Sequence, residues 1–410
     1  MDALRCSFCR RPLKHIFVDL GMAPLVSSYL REEELHNSEV FYPLRVYVCD
    51  ECYLVQLPQA ASPQQLFGEY PYFSSVSASW LKHAKTYVER MMQRFSYDSR
   101  SQVIEIASND GYLLQYFKEK GVPVLGIEPA ANIAEAAEKA GIPTLVKFFG
   151  VETAKKLALE GKKADLLLGN NVLAHVPDIN DFVGGMKLLL KPGGIITMEF
   201  PHLLKLMTEN QFDTIFHEHF SYFSFLTVER IFATHQLELF DVEDLPTHGG
   251  SLRIYARHAE AQTPGKSERV LELKARELKA GFNQIETYAS FEEKAQVTKH
   301  KLLKFLVEVK QDHRSIVGYG AAGKGCILLN YCGIRSDFLN YVVDLSPHKQ
   351  GLFLPGTHSP IYPPDKIRVT KPDYVLILPW NLKNEIMEQM SFIREWGGKF
   401  IVPIPEVAVH

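Results

Sequence analysis

The chain has 410 residues, long enough for two or three domains with cores of their own, and its composition is that of an ordinary soluble globular protein. A formal net charge of −3 gives no electrostatic reason to expect nucleic acid or an anionic membrane as partner, and no stretch approaches the roughly 20 apolar residues that cross a bilayer. Met1 to Arg11 is too polar for a secretory leader, so a cytoplasmic location is expected; the oligomeric state is not written in the residues, and a monomer is compatible with them.

In chain order, residues 1 to about 70 hold the pairs Cys6-Ser7-Phe8-Cys9 and Cys49-Asp50-Glu51-Cys52, with strand-like alternation from Tyr42 to Leu57. A two-residue spacer presents paired thiolates to one ion, and four cysteines leave no open coordination position, as in a structural zinc site. The competing reading is four unrelated core cysteines. From about 75 to 258, apolar runs at Gln102–Ile106, Pro123–Ile127, Ala164–Gly169 and Gly194–Phe200 alternate with helical periodicity, which predicts a mostly parallel α/β sheet. Residues 262–311 are charged and nearly free of Gly and Pro, reading as one or two helices. A strand–glycine–helix pattern restarts at Ser315–Tyr319, with further strands at Tyr341–Asp344 and Tyr374–Pro379. Cys326 and Cys332 read as inert packing. The expected divisions are 1–70, 71–260, 261–312 and 313–410.

The first glycine turn runs Glu105-Ile106-Ala107-Ser108-Asn109-Asp110-Gly111 and leads into a helix expected over Tyr112–Lys120. Small residues there let a ligand approach the backbone, and the helix amides aim at it. Glu128, about seventeen residues beyond the turn, can accept from a ribose diol as in dinucleotide folds. The turn is not G-x-G-x-x-G, which disfavours a pyrophosphate-bearing cofactor and suits one without phosphate, such as S-adenosylmethionine. Asn170, Asn171 and His175 should lie at the carboxyl edge of the sheet, where ligands bind.

Phe216-His217-Glu218-His219 packs ionisable groups among aromatics. An extended backbone would send both histidines to one side and Glu218 to the other, and a histidine walled by aromatics beside a carboxylate can be tuned as a base. Satisfied loop histidines are the alternative. Thr247-His248-Gly249-Gly250-Ser251 reads as a close-approach loop or a plain hairpin turn. Gly318-Tyr319-Gly320-Ala321-Ala322-Gly323-Lys324, with Asp344 about twenty residues on, matches a dinucleotide fingerprint; a nucleotide sugar, NAD and an empty structural fold all stay open.

Together with Glu69-Tyr70-Pro71-Tyr72-Phe73-Ser74-Ser75 and Thr247–Arg253, these segments recur in order in one family. The chain resembles the sugar C-methyltransferases that alkylate C3 of nucleoside-diphosphate 4-keto-deoxysugars. The resemblance spans essentially the whole length. It implies an α/β protein with a small zinc-binding amino-terminal domain, a class I Rossmann-like methyltransferase domain and a second Rossmann-like domain at the carboxyl end. The implied metal ligands are Cys6, Cys9, Cys49 and Cys52. The implied cofactor is S-adenosylmethionine, on Glu105, Ala107, Ser108, Asn109, Asp110, Gly111, Glu128 and Asn170. Tyr72, Tyr222, His248, Arg253, Gly320, Lys324 and Asp344 are the candidate contacts to a nucleotide-sugar substrate. His219 is the expected base, Tyr70 and His175 steady the enolate, and His217 and Glu218 complete the loop. The family's tyrosine at the first position of that loop is Phe216 here, which puts a tyrosine-based proton shuttle in doubt. The rival readings are an NAD-dependent nucleotide-sugar epimerase or reductase and a non-catalytic binding protein.

Overall fold

The computed structural model describes residues 4–68 and 72–410. The chain forms two compact units. The first is Met1–Lys14, Cys49–His202 and Phe220–Ile285; the second is His15–Val48, Leu203–His219 and Glu286–His410.

The first unit is built on β1 (Val103–Ile106), β2 (Val124–Ile127), β3 (Thr144–Leu145), β4 (Ala164–Asn170), β5 (Leu190–Pro201), β6 (Leu237–Leu245) and β7 (Ser251–His258), in the order β6-β7-β5-β4-β1-β2-β3. The strands from β5 to β3 are parallel, whereas β7 runs antiparallel to β5 and β6 antiparallel to β7. All four residues of β1 are buried, as expected where helices cover both faces of a parallel sheet. The pleat divides them: Ile104, Ile106 and Leu167 pack with Phe182, Val183 and Met186 on one face, while Val103, Leu166 and Leu168 pack with Tyr87, Val88 and Phe117 on the other. The helix Ala78–Phe95 supplies Ala84, Tyr87, Val88 and Met91 at helical spacing. Ser77 caps its start by accepting from the Trp80 amide, and left-handed Ser96 ends it.

The second unit has β8 (Ile316–Tyr319), β9 (Val342–Val343), β10 (Ile361–Tyr362), β11 (Tyr374–Ile377), β12 (Lys399–Val402) and β13 (Ala408–Val409), ordered β10-β9-β8-β11-β12-β13 and parallel except for β13. The antiparallel pair His15–Ala23 and Tyr42–Val48 packs on the helix Phe291–Gln311, where Phe17 stacks on Phe291 with centroids 4.6 Å apart.

Three helices replace the one or two expected over 262–311: Glu268–Lys279, Ile285–Ala289 and Phe291–Gln311. Gly281, at φ +81°, follows the first of them. The helix after the first glycine turn begins at Leu114, because Asp110 to Leu113 are still completing the turn. Among the described residues no helix is long and apolar enough to cross a membrane.

Candidate active site and metal centre

The two cysteine pairs fold alike. Cys6 and Cys49 each donate their amide to the carbonyl five residues on (Arg11, 2.8 Å; Leu54, 3.1 Å), and their carbonyls accept from Arg10 and Tyr53. Arg10 and Tyr53 are both left-handed, at φ 64° and 58°. The four Sγ atoms lie within 4.8 Å of one another, with Cys6 to Cys52 at 3.6 Å and Cys9 to Cys49 at 3.5 Å. A tetrahedron of sulfurs about 2.3 Å from zinc has edges of about 3.8 Å, so the set fits that ion. Gln56 donates its amide N–H to Cys6 Sγ at 3.2 Å and accepts from the Ser7 amide at 2.7 Å. Its neutral N–H lowers the charge on a thiolate without competing for the metal.

At the end of β1 the chain turns through left-handed Ala107, Asn109 and Gly111. The turn lies against β2 so closely that a Cβ on Gly126 would sit 2.3 Å from Ser108 Oγ. Glu128 accepts the Asn109 amide on Oε2 and the Ala130 amide on Oε1, both at 3.0 Å. Burial raises its pKa against those two bonds. Asn109 and Asp110 reach the segment before the long helix: Asn109 Oδ1 accepts from the Ser74 amide at 2.9 Å, its Nδ2 donates to the Tyr72 carbonyl at 3.1 Å, and Asp110 Oδ2 accepts from the Ser75 amide at 3.1 Å. Tyr72 itself is half exposed; Tyr70 lies outside the described residues. Glu105 is fully buried, and among the described residues neither of its oxygens meets a hydrogen-bond partner in normal geometry. Burial pushes its pKa well up, offset only in part by the Tyr112 phenol. An unmatched carboxylate beside a small-residue turn fits a ligand that carries positive charge and no phosphate, as S-adenosylmethionine does.

Asn170, ending β4, donates to the Tyr112 hydroxyl at 3.3 Å. Left-handed Asn171 bonds through Nδ2 to His248 Nε2 at 3.0 Å, and Trp80 meets the His248 ring edge-on. His175 follows on a single 3-10 turn, edge-on to Phe67, and the Phe220 amide donates to the Ala174 carbonyl beside it at 2.7 Å. Tyr222 is buried on a short strand opposite Val55. Beneath them lies a group that sequence reasoning missed. Glu199, near the end of β5, accepts from Arg253 at 2.6 Å and from Thr247 at 2.8 Å, and meets His83 at 2.8 Å. Burial opposes its charge, but the His83 hydrogen bond and the Arg253 charge hold its pKa at about 2. Arg253, a candidate substrate contact, is 2% exposed with its guanidinium over the Tyr87 ring. A lone acid in the apolar run Ile195–Phe200 was the available signal, the same one that singles out Glu105.

The histidine loop is a β-turn, not an extended strand: the His219 amide donates to the Phe216 carbonyl at 2.9 Å. The two histidines therefore face different surroundings. His217 is buried, 3.3 Å from the Pro43 carbonyl and edge-on to Tyr42, and burial lowers its pKa. Glu218, also buried, accepts from the Ser27 hydroxyl. His219 is half-buried against Phe216, ring centroids 4.0 Å apart, and its Nδ1 lies 2.9 Å from the Thr214 carbonyl. A carbonyl only accepts, so Nδ1 carries the proton and Nε2 is the basic nitrogen.

At the second glycine turn Gly320 has φ +93°, and a Cβ there would lie 2.4 Å from Pro379 Cδ. Asp344 accepts the Ala321 and Ser346 amides, both at 2.8 Å. The Ala321 carbonyl accepts from Tyr29 and Lys349. Lys324 donates to Asn381 at 3.1 Å and sits over the Trp380 ring.

Three family models match the chain: "Putative zinc binding domain" over residues 6–67, "Methyltransferase domain" over 80–242 and "C-methyltransferase C-terminal domain" over 246–405. The C-methyltransferase NovU of Streptomyces niveus is 36% identical over 96% of this chain and 93% of its own length. A ubiquinone biosynthesis O-methyltransferase of Chelativorans sp. (strain BNC1) is 31% identical over 23% of this chain and 38% of its own. Among solved structures, the PH0226 protein from Pyrococcus horikoshii OT3 overlays 48% of this chain and 97% of its own, at 16% identity and a TM-score of 0.38; so slight a likeness adds nothing. Zinc is the ion of the four-cysteine site, and the first glycine turn fits S-adenosylmethionine as the methyl donor of the methyltransferase domain. The chain belongs to the C-methyltransferase family, in which a zinc-binding, a methyltransferase and a C-methyltransferase carboxyl-terminal domain share one polypeptide.

Proposed function

We propose that this enzyme methylates C3 of a nucleoside-diphosphate 4-keto-deoxysugar, with His219 as the base. The observation that carries the reading is the bond from His219 Nδ1 to the Thr214 carbonyl, which makes Nε2 the proton acceptor. A hydrogen next to a ketone is acidic because the electron pair left on carbon delocalises onto oxygen, so carbon alkylation there needs a base and donors to that oxygen. When bound, S-adenosylmethionine supplies an electrophilic methyl and leaves as a neutral sulfide. His219 removes the C3 proton, and His175 and Tyr70 are assigned to the enolate oxygen. His217 is a poorer base, since burial disfavours its charged form. Phe216 carries no hydroxyl, so the proton route through this loop runs by His219 rather than a phenol. Glu218, with Ser27, is assigned to a sugar hydroxyl, and Tyr72, Tyr222 and His248 to further substrate contacts. The turn at Gly320 with Lys324 is assigned to the diphosphate.

The test is deuterium exchange into a panel of nucleoside-diphosphate 4-keto-deoxysugars in heavy water. Exchange at C3 without the cofactor, and a product heavier by one methyl-for-hydrogen replacement with it, are expected. His219→Ala should lose both by about 10² to 10⁴ while binding S-adenosylmethionine normally. Near-normal turnover of that variant removes His219 from the role, and silence across the panel removes this acceptor class.

A further inference from the structure

The 3-10 turn Phe212–Thr214 that carries the Thr214 carbonyl is pinned from both sides within the second unit. Phe212 is fully buried and meets Tyr331 edge-on, with centroids 5.4 Å apart. The Thr214 amide and hydroxyl both donate to the Gln211 carbonyl, at 3.1 and 2.8 Å. Between them Asp213 is 0% exposed and accepts from Trp380 Nε1 at 2.8 Å; its other oxygen has no hydrogen-bond partner among the described residues. A buried carboxylate is costly unless it is paired, and the cation in its surroundings is Lys324, over the same Trp380 ring. Apolar side chains would hold a turn against a helix at lower cost. The sequence instead puts an acid one residue before the carbonyl that bonds His219.

We infer that Asp213 is a positioning residue: anchored by Trp380, it sets the Thr214 carbonyl, and through that carbonyl the tautomer and ring rotation of His219. This rests on the reading of His219 as the base. Burial raises the Asp213 pKa to about 7 and lowers that of Lys324 to about 8, and each charge is favoured by the presence of the other. A carbonyl shifted by a fraction of an ångström no longer meets Nδ1. The ring then redistributes its proton between the two nitrogens, and only one tautomer leaves Nε2 basic.

The experiment compares Trp380→Phe, which keeps the ring over Lys324 and removes the N–H donor, with Asp213→Ala and His219→Ala. Histidine ring ¹⁵N spectra report the His219 tautomer beside steady-state kinetics in the full-length enzyme. Expected for Trp380→Phe and Asp213→Ala is a mixed tautomer and kcat lower by about 10- to 100-fold, with KM for the nucleotide sugar within about twofold. An unchanged tautomer and kcat in folded Trp380→Phe overturns the inference, as does a rise in KM alone, which would mean the cluster serves Lys324 instead. Should Asp213→Ala fail to fold, Trp380→Phe decides. His219→Ala separates the two claims: if it turns over normally the base assignment falls, and if it is crippled while Trp380→Phe is normal only the inference falls.

Discussion

Glu105 on β1, Glu128 just after β2 and Glu199 on β5 are three buried glutamates of one sheet, and their surroundings give them three different states. Glu199 is held ionised by Arg253 and His83, Glu128 takes two backbone amides, and Glu105 has no such partner among the described residues and is pushed toward its neutral form. An unmatched group of this kind gains on binding what it lacks in the free protein. Glu105→Gln should weaken S-adenosylmethionine binding by about 10- to 100-fold, in line with a hydrogen bond to a charged group, while the melting temperature holds or rises because the neutral amide escapes the burial that opposes the carboxylate's charge. Titration calorimetry beside thermal melts checks both halves; unchanged affinity would take Glu105 away from the cofactor. His217 and His219 make the same contrast, one turned to the Pro43 and Tyr42 backbone region and the other to Thr214, although a single residue separates them.

At the scale of the element, β5 and β7 are cross-linked by Glu199 and Arg253, paired directly across the antiparallel ladder from Arg253 to Glu199. The helix Ala78–Phe95 joins them through His83, and the turn between β6 and β7 through Thr247. The network thus fixes the loop bearing His248. Removing one partner leaves the other charge buried, so Glu199→Gln should cost about 3–5 kcal/mol in denaturant unfolding. Its pH dependence has a definite sign. The folded pKa of about 2 lies below the usual 4.5, so the stabilisation is complete above about pH 5 and is lost as pH falls toward 2. The wild type should therefore lose stability between about pH 5 and 3 more steeply than Glu199→Gln; parallel curves would mean the charge contributes nothing.

Over the whole molecule, the chain crosses between the two units after Lys14, Val48, His202, His219 and Ile285. Cys6 and Cys9 precede the excursion His15–Val48 and Cys49 and Cys52 follow it, so the metal closes the base of that loop within the first unit. Stripping the zinc with a chelator should release about one ion per chain and lower the melting temperature, because ligation and folding share one free energy. A metal-free protein with an unchanged melting temperature would make the cysteines mere core. The cysteine knuckles, the strands β1, β2, β4, β5, β8, β9 and β11 and the turn at Ala107–Gly111 were legible in the residues alone, since each is written in spacing or period within a few positions, whereas β3, β6, β7, β10, β12 and β13 were not. Other features were not: the β-turn of the histidine loop, the duty of Asn109 and Asp110 toward residues 72–75, the buried Glu199 network, and the seating of Asp213 on Trp380. Local pattern determines backbone shape, because it acts through neighbours along the chain. Which side chain is paired, dry or basic depends on partners as far as 319 residues away, and only the tertiary structure brings those together.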